Sequence, residues 1–386
     1  MRKHFGFMRA AAALAAMCLL AGGGAIAEED IMEQIRGMSL REKVGQMFMI
    51  RPDALEGRFG PAELEDNSIL GTTRVSDEMR ERYAQYPCGG FALFRKNILN
   101  PSQLMGFTEK LRALGDPAPM LAIDEEGGRI ARIANHPAGF GVKKFPPMGE
   151  IAASGDESLA YEAGLTIGKY LKAYGFDIDF APVADVSTNP RNPVIGDRAF
   201  GSDPAVAARM VPQVVAGLHE SGVAACLKHF PGHGDTGTDT HTGYAETKKT
   251  WEQISDCEMI PFRAGIAAGC DLVMTAHIAA PNVTGSSEPA TVSYTLLTEK
   301  LRGELGFGGL IITDALSMGA ITKAYTSAEA CVACIQAGID ILLMPSDYYE
   351  AFDGVVRAVE TGEIPESRID ESVCRILAFK RRAGEE

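Results

Sequence analysis

The chain is 386 residues long and 46% hydrophobic, and its 51 acidic residues exceed its 37 basic ones to give a formal net charge of −14 at pH 7. A chain of this length can build its own hydrophobic core without disulfide bonds. The acidic excess argues against nucleic acid or anionic lipid as a partner, because both bind positive patches, and it favours a neutral or mildly charged small substrate.

The first 27 residues have the pattern of an export signal. Arg2, Lys3 and Arg9 precede an apolar run over residues 10–21, and residues 25–27 (Ala-Ile-Ala) offer a small-residue cleavage site. The run is too short to span a membrane, and no later segment is long and apolar enough to cross one. We expect cleavage after Ala27 and a secreted or cell-envelope protein, with an uncleaved anchor as the alternative. The mature chain, residues 28–386, would keep 51 acidic and 34 basic residues, a net charge of −17.

Short apolar runs alternate with amphipathic stretches through the rest of the chain, which indicates parallel strands joined by helices. Eight such units without a linker predict a (β/α)₈ barrel of the TIM type, a single α/β catalytic domain. A doubly wound open sheet is the alternative, but no glycine-rich phosphate loop opens a helix here. The predicted strands are 46–50, 90–94, 120–123, 177–183, 224–227, 272–276, 310–313 and 341–344.

The predicted helices follow the same alternation, and they end with a closing helix over 366–382. Segment 52–87 lacks clear periodicity and is interpreted as a short insertion after the first strand. The remaining helical patterns are 157–174, 204–220, 251–268, 328–337 and 349–360.

Nearly every apolar run ends at a polar or ionisable residue. In a closed barrel, all eight strands bring their C-terminal ends to one face, where active sites of this fold are built. We therefore expect these side chains to share that face. They are Asp124, Asp185, Lys228, His229, His277, Asp314, Ser346 and Asp347.

Three of the seven histidines of the chain fall within the glycine-containing segment 228–241. Asp239 and His241 stand two residues apart, and an aspartate that accepts from one ring nitrogen makes the other a proton shuttle near neutral pH. The alternatives are a metal site built from His229, His233, His241 and an aspartate, or a solvated loop. The spacing matches no established metal motif, and Lys228 would place a cation beside the metal. We therefore expect no metal.

Other candidate residues have two readings each. Asp314 is either a catalytic carboxylate at a strand end or the N-cap of the following helix. Asp124, at the head of Asp-Glu-Glu-Gly-Gly-Arg, belongs either to a ligand site or to a salt-bridged cluster with Arg129 and Arg132. Arg198 is either a fork for sugar hydroxyls or a structural ion pair.

Cys331 and Cys334 form a C-x-x-C pair within a predicted helix, with no second pair nearby. We interpret them as buried small residues, and a metal or redox role is the alternative.

These motifs, in this order, resemble glycoside hydrolase family 3, and most closely its single-barrel β-N-acetylglucosaminidase branch. The resemblance runs from Glu42-Lys-Val-Gly-Gln46 to Asp347. It passes through the motifs that begin at Asp124, Phe180 and Asn192 and through Thr313-Asp-Ala-Leu-Ser-Met318. Its most specific element is Lys228-His-Phe-Pro-Gly-His-Gly followed by Asp239-Thr-His241. It implies that residues 28–386 form a barrel of the N-terminal type of this family.

The resemblance also implies a role for each matched residue. Asp314 matches the nucleophile, and His241 matches the general acid/base that is paired with Asp239. Two small departures from the pattern occur: Glu125 stands where glutamine is commoner, and Thr240 stands where serine is commoner. Glu125 is expected to add an anion near the sugar. The residues that match those gripping the N-acetylglucosamine ring are Asp124, Arg132, Arg198, Lys228 and His229.

The implied activity is that of a cofactor-independent, retaining exo-β-N-acetylglucosaminidase acting on peptidoglycan fragments or chito-oligosaccharides through a covalent glycosyl-enzyme. Two alternatives remain. A neutral histidine would tolerate incoming phosphate, as in a phosphorylase, and a barrel of this kind could also be a non-catalytic sugar- or metal-binding envelope protein.

Overall fold

The computed structural model describes residues 25–237 and 245–385. At its centre, eight strands follow one another in a parallel sheet, and the first strand pairs with the eighth. A parallel bridge between Ile312 and Ile341 joins the seventh strand to the eighth and closes the ring. The predicted (β/α)₈ barrel is confirmed. The strands β1–β8 are Phe48–Ile50, Gly90–Leu93, Met120–Ile123, Ile178–Asp179, Ala224–Phe230, Leu272–Thr275, Leu310–Thr313 and Leu342–Leu343.

Each strand falls on a predicted apolar run, but β4 covers only two of the seven predicted residues and β5 is longer than predicted. The apolar pattern ends at Leu227, whereas the strand continues through Lys228 and His229 to Phe230. Pairing beyond the end of β4 explains the extension, because Ala184 donates its N–H to the carbonyl of Lys228 at 2.8 Å. The two polar residues are therefore held on a strand rather than on a loop.

The helices surround the barrel. Four of the six predicted helices (157–174, 204–220, 328–337 and 349–360) begin and end within one residue of the prediction, and the closing helix extends three residues beyond its predicted end. Shorter helical turns are present at Pro52–Leu55, Arg95–Asn97, Gly196–Arg198 and Ala290–Val292, with a π-helix at Thr295–Glu304. The helices α1–α15 are Ala25–Gly37, Leu40–Gln46, Pro61–Glu65, Asp77–Gln85, Pro101–Arg112, Met148–Ala153, Glu157–Ala173, Pro204–Glu220, Trp251–Ser255, Met259–Ala267, Pro281–Thr284, Gly319–Thr322, Ser327–Ala337, Tyr348–Glu360 and Glu366–Glu385.

The prediction of one helix over 251–268 is wrong, because the structure has two helices there, α9 and α10. Pro261 gives the physical reason. It has no N–H to donate to the carbonyl of Cys257, and its ring clashes with that carbonyl in a continuous α-helix. Although α8 accommodates Pro212 in its interior, here one helix ends at Ser255 and the next begins at Met259, which places Pro261 in a first turn where no N–H is needed.

Segment 52–87, predicted as an insertion without periodicity, contains helices α3 and α4. Helix α4 buries only Met79 and Tyr83 against the barrel, so the sequence offers just two apolar positions as a signal. Helix α3 buries none of its residues. Its end lies at the mouth of the barrel, where Glu65 and Asn67 line a cavity.

The interior of the barrel and the strand–helix interfaces form one large apolar core. Cys331 and Cys334 lie within this core on α13 as free thiols, and burial raises the pKa of both. None of the described helices combines the length and the apolar character needed to cross a bilayer.

Candidate active site

A cavity of about 530 Å³ opens at the C-terminal ends of the strands. Six of the predicted site residues line it together, which places them on the face expected from the strand-end pattern. The other two, Asp239 and His241, lie outside the described residues. The six are Asp124, Arg132, Arg198, Lys228, His229 and Asp314.

Two carboxylates and three cations form a connected network along one wall of the cavity. The Lys228 ammonium, on β5, donates to Asp124 Oδ1 at 2.8 Å and lies 2.6 Å from Glu126 Oε1. Arg132 donates to Asp124 Oδ2 at 3.0 Å. Arg198 grips Glu126 with two bonds, Nε to Oε2 at 2.8 Å and Nη2 to Oε1 at 2.7 Å. Such a two-point grip fixes the plane of both groups.

The ion pairs favour the charged forms of Asp124, Glu126 and Lys228. Burial alone would raise the pKa of Asp124 and of Glu126, but the adjacent cations outweigh it. They hold the pKa of Asp124 well below its usual range, and they lower that of Glu126 to about 2. Burial opposes the charge of Lys228 in the same way, yet Asp124 and Glu126 raise its pKa. With three cations and two carboxylates, the network carries one net positive charge.

The expectation that Glu125 adds an anion beside the ligand is wrong. Residues 125–127 form a short extended strand, in which successive side chains point in opposite directions. Glu126 therefore faces the cavity on the same side as Asp124, whereas Glu125 points away from it. The Glu125 carboxylate accepts the N–H groups of Ile133 and Ala134, at 2.9 and 2.8 Å, and burial raises its pKa.

His229 is oriented by a residue to which the sequence analysis assigned no role. Asp185, which is fully buried, lies 2.6 Å from His229 Nδ1 through its Oδ2. The other carboxylate oxygen accepts the N–H of His233 at 2.6 Å. Because Asp185 Oδ2 accepts a hydrogen bond from Nδ1–H, Nε2 is the nitrogen that His229 presents to the cavity. The signals were present in the sequence, since Asp185 follows the fourth predicted strand and Glu126 lies in the same acidic string as Asp124.

Asp314 follows directly after β7, and its interpretation as a helix N-cap is wrong. The next helix, α12, begins at Gly319, and Met318 occupies its N-cap position. The Asp314 carboxylate lines the cavity and accepts the N–H of Ala315 on Oδ1 at 2.7 Å. That bond fixes the plane of the carboxylate and leaves Oδ2 for other contacts.

The rim of the cavity adds further residues that the sequence analysis missed. Arg51, just after β1, stacks on the ring of Phe94 at 4.4 Å and pairs with Glu65 at 3.1 Å. These side chains line the cavity beside Asn67. Arg129, by contrast, does not line the cavity: it is exposed, donates to the carbonyl of Val194 and pairs with Asp197 at 3.7 Å.

The metal alternative gains no support from the part of the site that is described. Over residues 25–237 and 245–385, no three His, Cys, Asp or Glu side chains are arranged to hold a metal ion. His233 Nδ1 lies 2.7 Å from the hydroxyl of Thr236. His241, the third histidine of that proposal, lies outside the described residues.

Comparison with known proteins places this arrangement in a family. The model described as "Glycosyl hydrolase family 3 N terminal domain" matches residues 39–379. A β-hexosaminidase A from Pseudoalteromonas piscicida is 33% identical over 342 residues, covering 80% of this chain and 56% of that protein. A β-hexosaminidase from Thiobacillus denitrificans is 34% identical over 291 residues, covering 74% of this chain and 78% of that protein.

A similar barrel occurs among solved structures. A glycoside hydrolase family 3 β-N-acetylglucosaminidase from a Paenibacillus species superimposes with a TM-score of 0.81 at 37% identity, covering 90% of this chain and 63% of that one. This chain thus spans little more than half of the Pseudoalteromonas protein and under two thirds of the Paenibacillus chain.

Proposed function

The chain belongs to glycoside hydrolase family 3, and from this premise we propose that it is a retaining β-N-acetylhexosaminidase that removes terminal N-acetylglucosamine. The observation that carries the proposal is the position of Asp314. Its carboxylate lines the same cavity as the cationic network around Lys228 and Arg198. One cavity therefore offers a nucleophile and a dense set of donors for sugar hydroxyls.

In the first step, an Asp314 carboxylate oxygen attacks the anomeric carbon. The carbon–oxygen bond to the aglycone breaks as the bond to Asp314 forms, which gives a covalent glycosyl-enzyme. The departing oxygen needs a proton, and we propose that His241, paired with Asp239, supplies it. This role rests on the family resemblance of segment 228–241.

In the second step, water replaces the aglycone. His241 takes a proton from the water, the oxygen of the water attacks the anomeric carbon, and the bond to Asp314 breaks. The sugar leaves with its original configuration, because two inversions restore it. Asp124, Arg132, Arg198, Lys228 and His229 bind the sugar ring, and Asp185 holds His229 so that Nε2 meets a hydroxyl.

Export completes the proposal. Residues 1–27 have the basic start, apolar run and small-residue site of a cleaved signal, so we propose a mature protein that begins at residue 28 in the cell envelope or medium. There it would meet peptidoglycan fragments or chito-oligosaccharides. N-terminal sequencing of the exported protein tests the cleavage site, and mass spectrometry of digests of both glycans tests the substrate.

The decisive experiment is Asp314→Asn with an aryl N-acetyl-β-glucosaminide. Loss of the nucleophile should reduce kcat by roughly 10⁴-fold or more, since the two-step route closes. Early product from the wild-type enzyme, followed by NMR, should be the β-anomer. A variant that keeps more than about a tenth of the wild-type rate would rule out Asp314 as the nucleophile.

Asp347→Asn is the matched control, because Asp347 also stands at a strand end. Its carboxylate accepts the N–H of Glu350 and caps α14 rather than lining the cavity. Asparagine caps equally well, so the activity should stay at the wild-type level.

Repeating the assay with phosphate separates hydrolysis from phosphorolysis, because only the latter yields the sugar 1-phosphate.

A further inference from the structure

His277 is a strand-end residue that the proposed mechanism does not use. It stands two residues after β6, it is completely buried, and both of its ring nitrogens have partners. Nε2 lies 2.9 Å from the carbonyl of Ala315, and Nδ1 lies 2.8 Å from the hydroxyl of Thr291. A carbonyl can only accept, so Nε2 carries the proton and donates it to Ala315.

Ala315 is also the residue whose N–H binds the nucleophile. That N–H donates to Asp314 Oδ1 at 2.7 Å, while the Ala315 carbonyl receives His277. The N–H of Asp314 itself donates to the carbonyl of Thr275, the last residue of β6, at 3.1 Å. The end of β6 therefore holds the backbone on both sides of the Asp314 carboxylate.

From this geometry we propose that His277 is a positioning residue for the nucleophile, an inference that rests on the proposed role of Asp314. The imidazole holds the Ala315 peptide, and the Ala315 N–H in turn holds Oδ1, so that Oδ2 is aimed at the anomeric carbon. Thr291 completes the arrangement by fixing the ring from its other nitrogen. A buried polar ring with two satisfied nitrogens has only one orientation, which an apolar side chain of equal size could not impose.

Two neutral variants of His277 separate positioning from packing. In His277→Gln the amide nitrogen occupies the place of Nε2 and can still donate to Ala315. In His277→Asn the amide reaches only the place of Nδ1. We expect His277→Asn to lower kcat/KM by roughly 10²-fold, since small misplacement of a reacting group costs about that much. His277→Gln should restore most of the loss, and the inhibition constant of N-acetylglucosamine should stay unchanged in both.

A substrate with an activated leaving group tests whether the defect lies at the nucleophile or in proton donation. A dinitrophenyl glycoside needs no proton on its leaving group, so a fault in proton donation would disappear with it. The defect of His277→Asn should persist with this substrate. Relief of the defect, equal losses in the two variants, wild-type kcat/KM in both, or weaker sugar binding in step with the lost rate would each overturn the proposal.

Thr291→Val serves if His277→Asn does not fold. It keeps the shape of the side chain and removes the hydroxyl that faces Nδ1, so kcat/KM should fall by about fivefold, the value of one hydrogen bond. Wild-type kcat/KM in a folded Thr291→Val enzyme would also overturn the proposal. Different results would overturn the proposed function itself: an inactive wild-type enzyme or an active Asp314→Asn variant.

Discussion

The two ends of the barrel contain buried carboxylates with the same chemistry and different surroundings. At the N-terminal end, Asp340 accepts from Arg375 at 2.8 Å, from Ser372 at 2.7 Å and from the N–H of Ile311 at 3.0 Å, and Arg302 also pairs with it. These donors use both carboxylate oxygens and tie α15 to the strands.

At the C-terminal end, the network around Lys228 also pairs buried carboxylates with cations, but it lines a cavity of about 530 Å³. Its side chains can exchange partners with a ligand that enters. Buried ion pairs alone therefore do not identify a binding site. Ion pairs that line a cavity are available to a ligand in addition to stabilising the fold, whereas those around Asp340 contribute to the fold alone.

The largest effect on stability should follow from Asp340→Asn. The change leaves Arg302 and Arg375 without a counter-charge in a buried site, which should lower the free energy of unfolding by about 3–5 kcal/mol. Chemical denaturation measures this loss. The kcat/KM of the remaining folded enzyme should be unchanged. A lower kcat/KM in folded enzyme would show that Asp340 also serves the active site.

The next largest effect is on the pH dependence of stability, to which Glu126 and Glu125 should contribute in opposite directions. The pKa of Glu126 is lowered to about 2 from 4.5, so its ionised form stabilises the fold above about pH 4.5, and this contribution is lost as the pH falls towards 2. It amounts to about 3 kcal/mol. Thermal unfolding between pH 2 and 6 should therefore be less pH-dependent in Glu126→Gln than in the wild type.

Glu125→Gln provides the control of opposite sign. Burial raises the pKa of Glu125, so ionisation of this group destabilises the fold, and stability is gained as the pH falls through the folded pKa. Glu125→Gln should therefore remove a decrease in the free energy of unfolding with rising pH, whereas Glu126→Gln removes an increase. If the pH dependence of thermal unfolding changed in the same direction in both variants, the assigned orientations of Glu125 and Glu126 would be contradicted. Only Glu126→Gln should also lower kcat/KM.

The smallest effect should come from two Arg→Lys changes. Lysine keeps the charge of Arg198 but cannot make both of its bonds to Glu126, so Arg198→Lys should lower kcat/KM by about tenfold, or ~1.4 kcal/mol, with little change in stability. Arg375→Lys, at Asp340, should instead lower stability by about 1 kcal/mol and leave kcat/KM intact. Steady-state kinetics and denaturation of both variants test the contrast.

The strands were predictable because their signal is local. Eight apolar runs of four to seven residues marked eight buried strands, and the polar residues at their ends marked one face. The break between α9 and α10 depended on Pro261, a local signal that the apolar periodicity concealed. Helix α4 was missed because it contacts the barrel through only two side chains, Met79 and Tyr83.

The site was predictable in part. The resemblance pointed to Asp124, Arg132, Arg198, Lys228, His229 and Asp314, and the structure places all six around one cavity, while their roles and those of Asp239 and His241 remain predictions. Glu126 was not selected, and Asp185 was expected only to share the face of the strand ends. The sequence Asp-Glu-Glu does not indicate which of the two adjacent glutamates faces the cavity, because that depends on the direction in which Asp124 points.

The alternation of strands and helices, the end of the barrel with the polar side chains and the family of the chain could all be inferred from the residues alone. These features depend on residues a few positions apart, whose periodicity and side-chain chemistry can be read directly. The folded barrel was needed to show that Lys228 Nζ lies 2.8 Å from Asp124 Oδ1, 104 residues away, that Asp185 orients His229, and that Asp340 pairs with arginines at the opposite end. Closure of the barrel sets these distances, because it brings together strands that the chain separates.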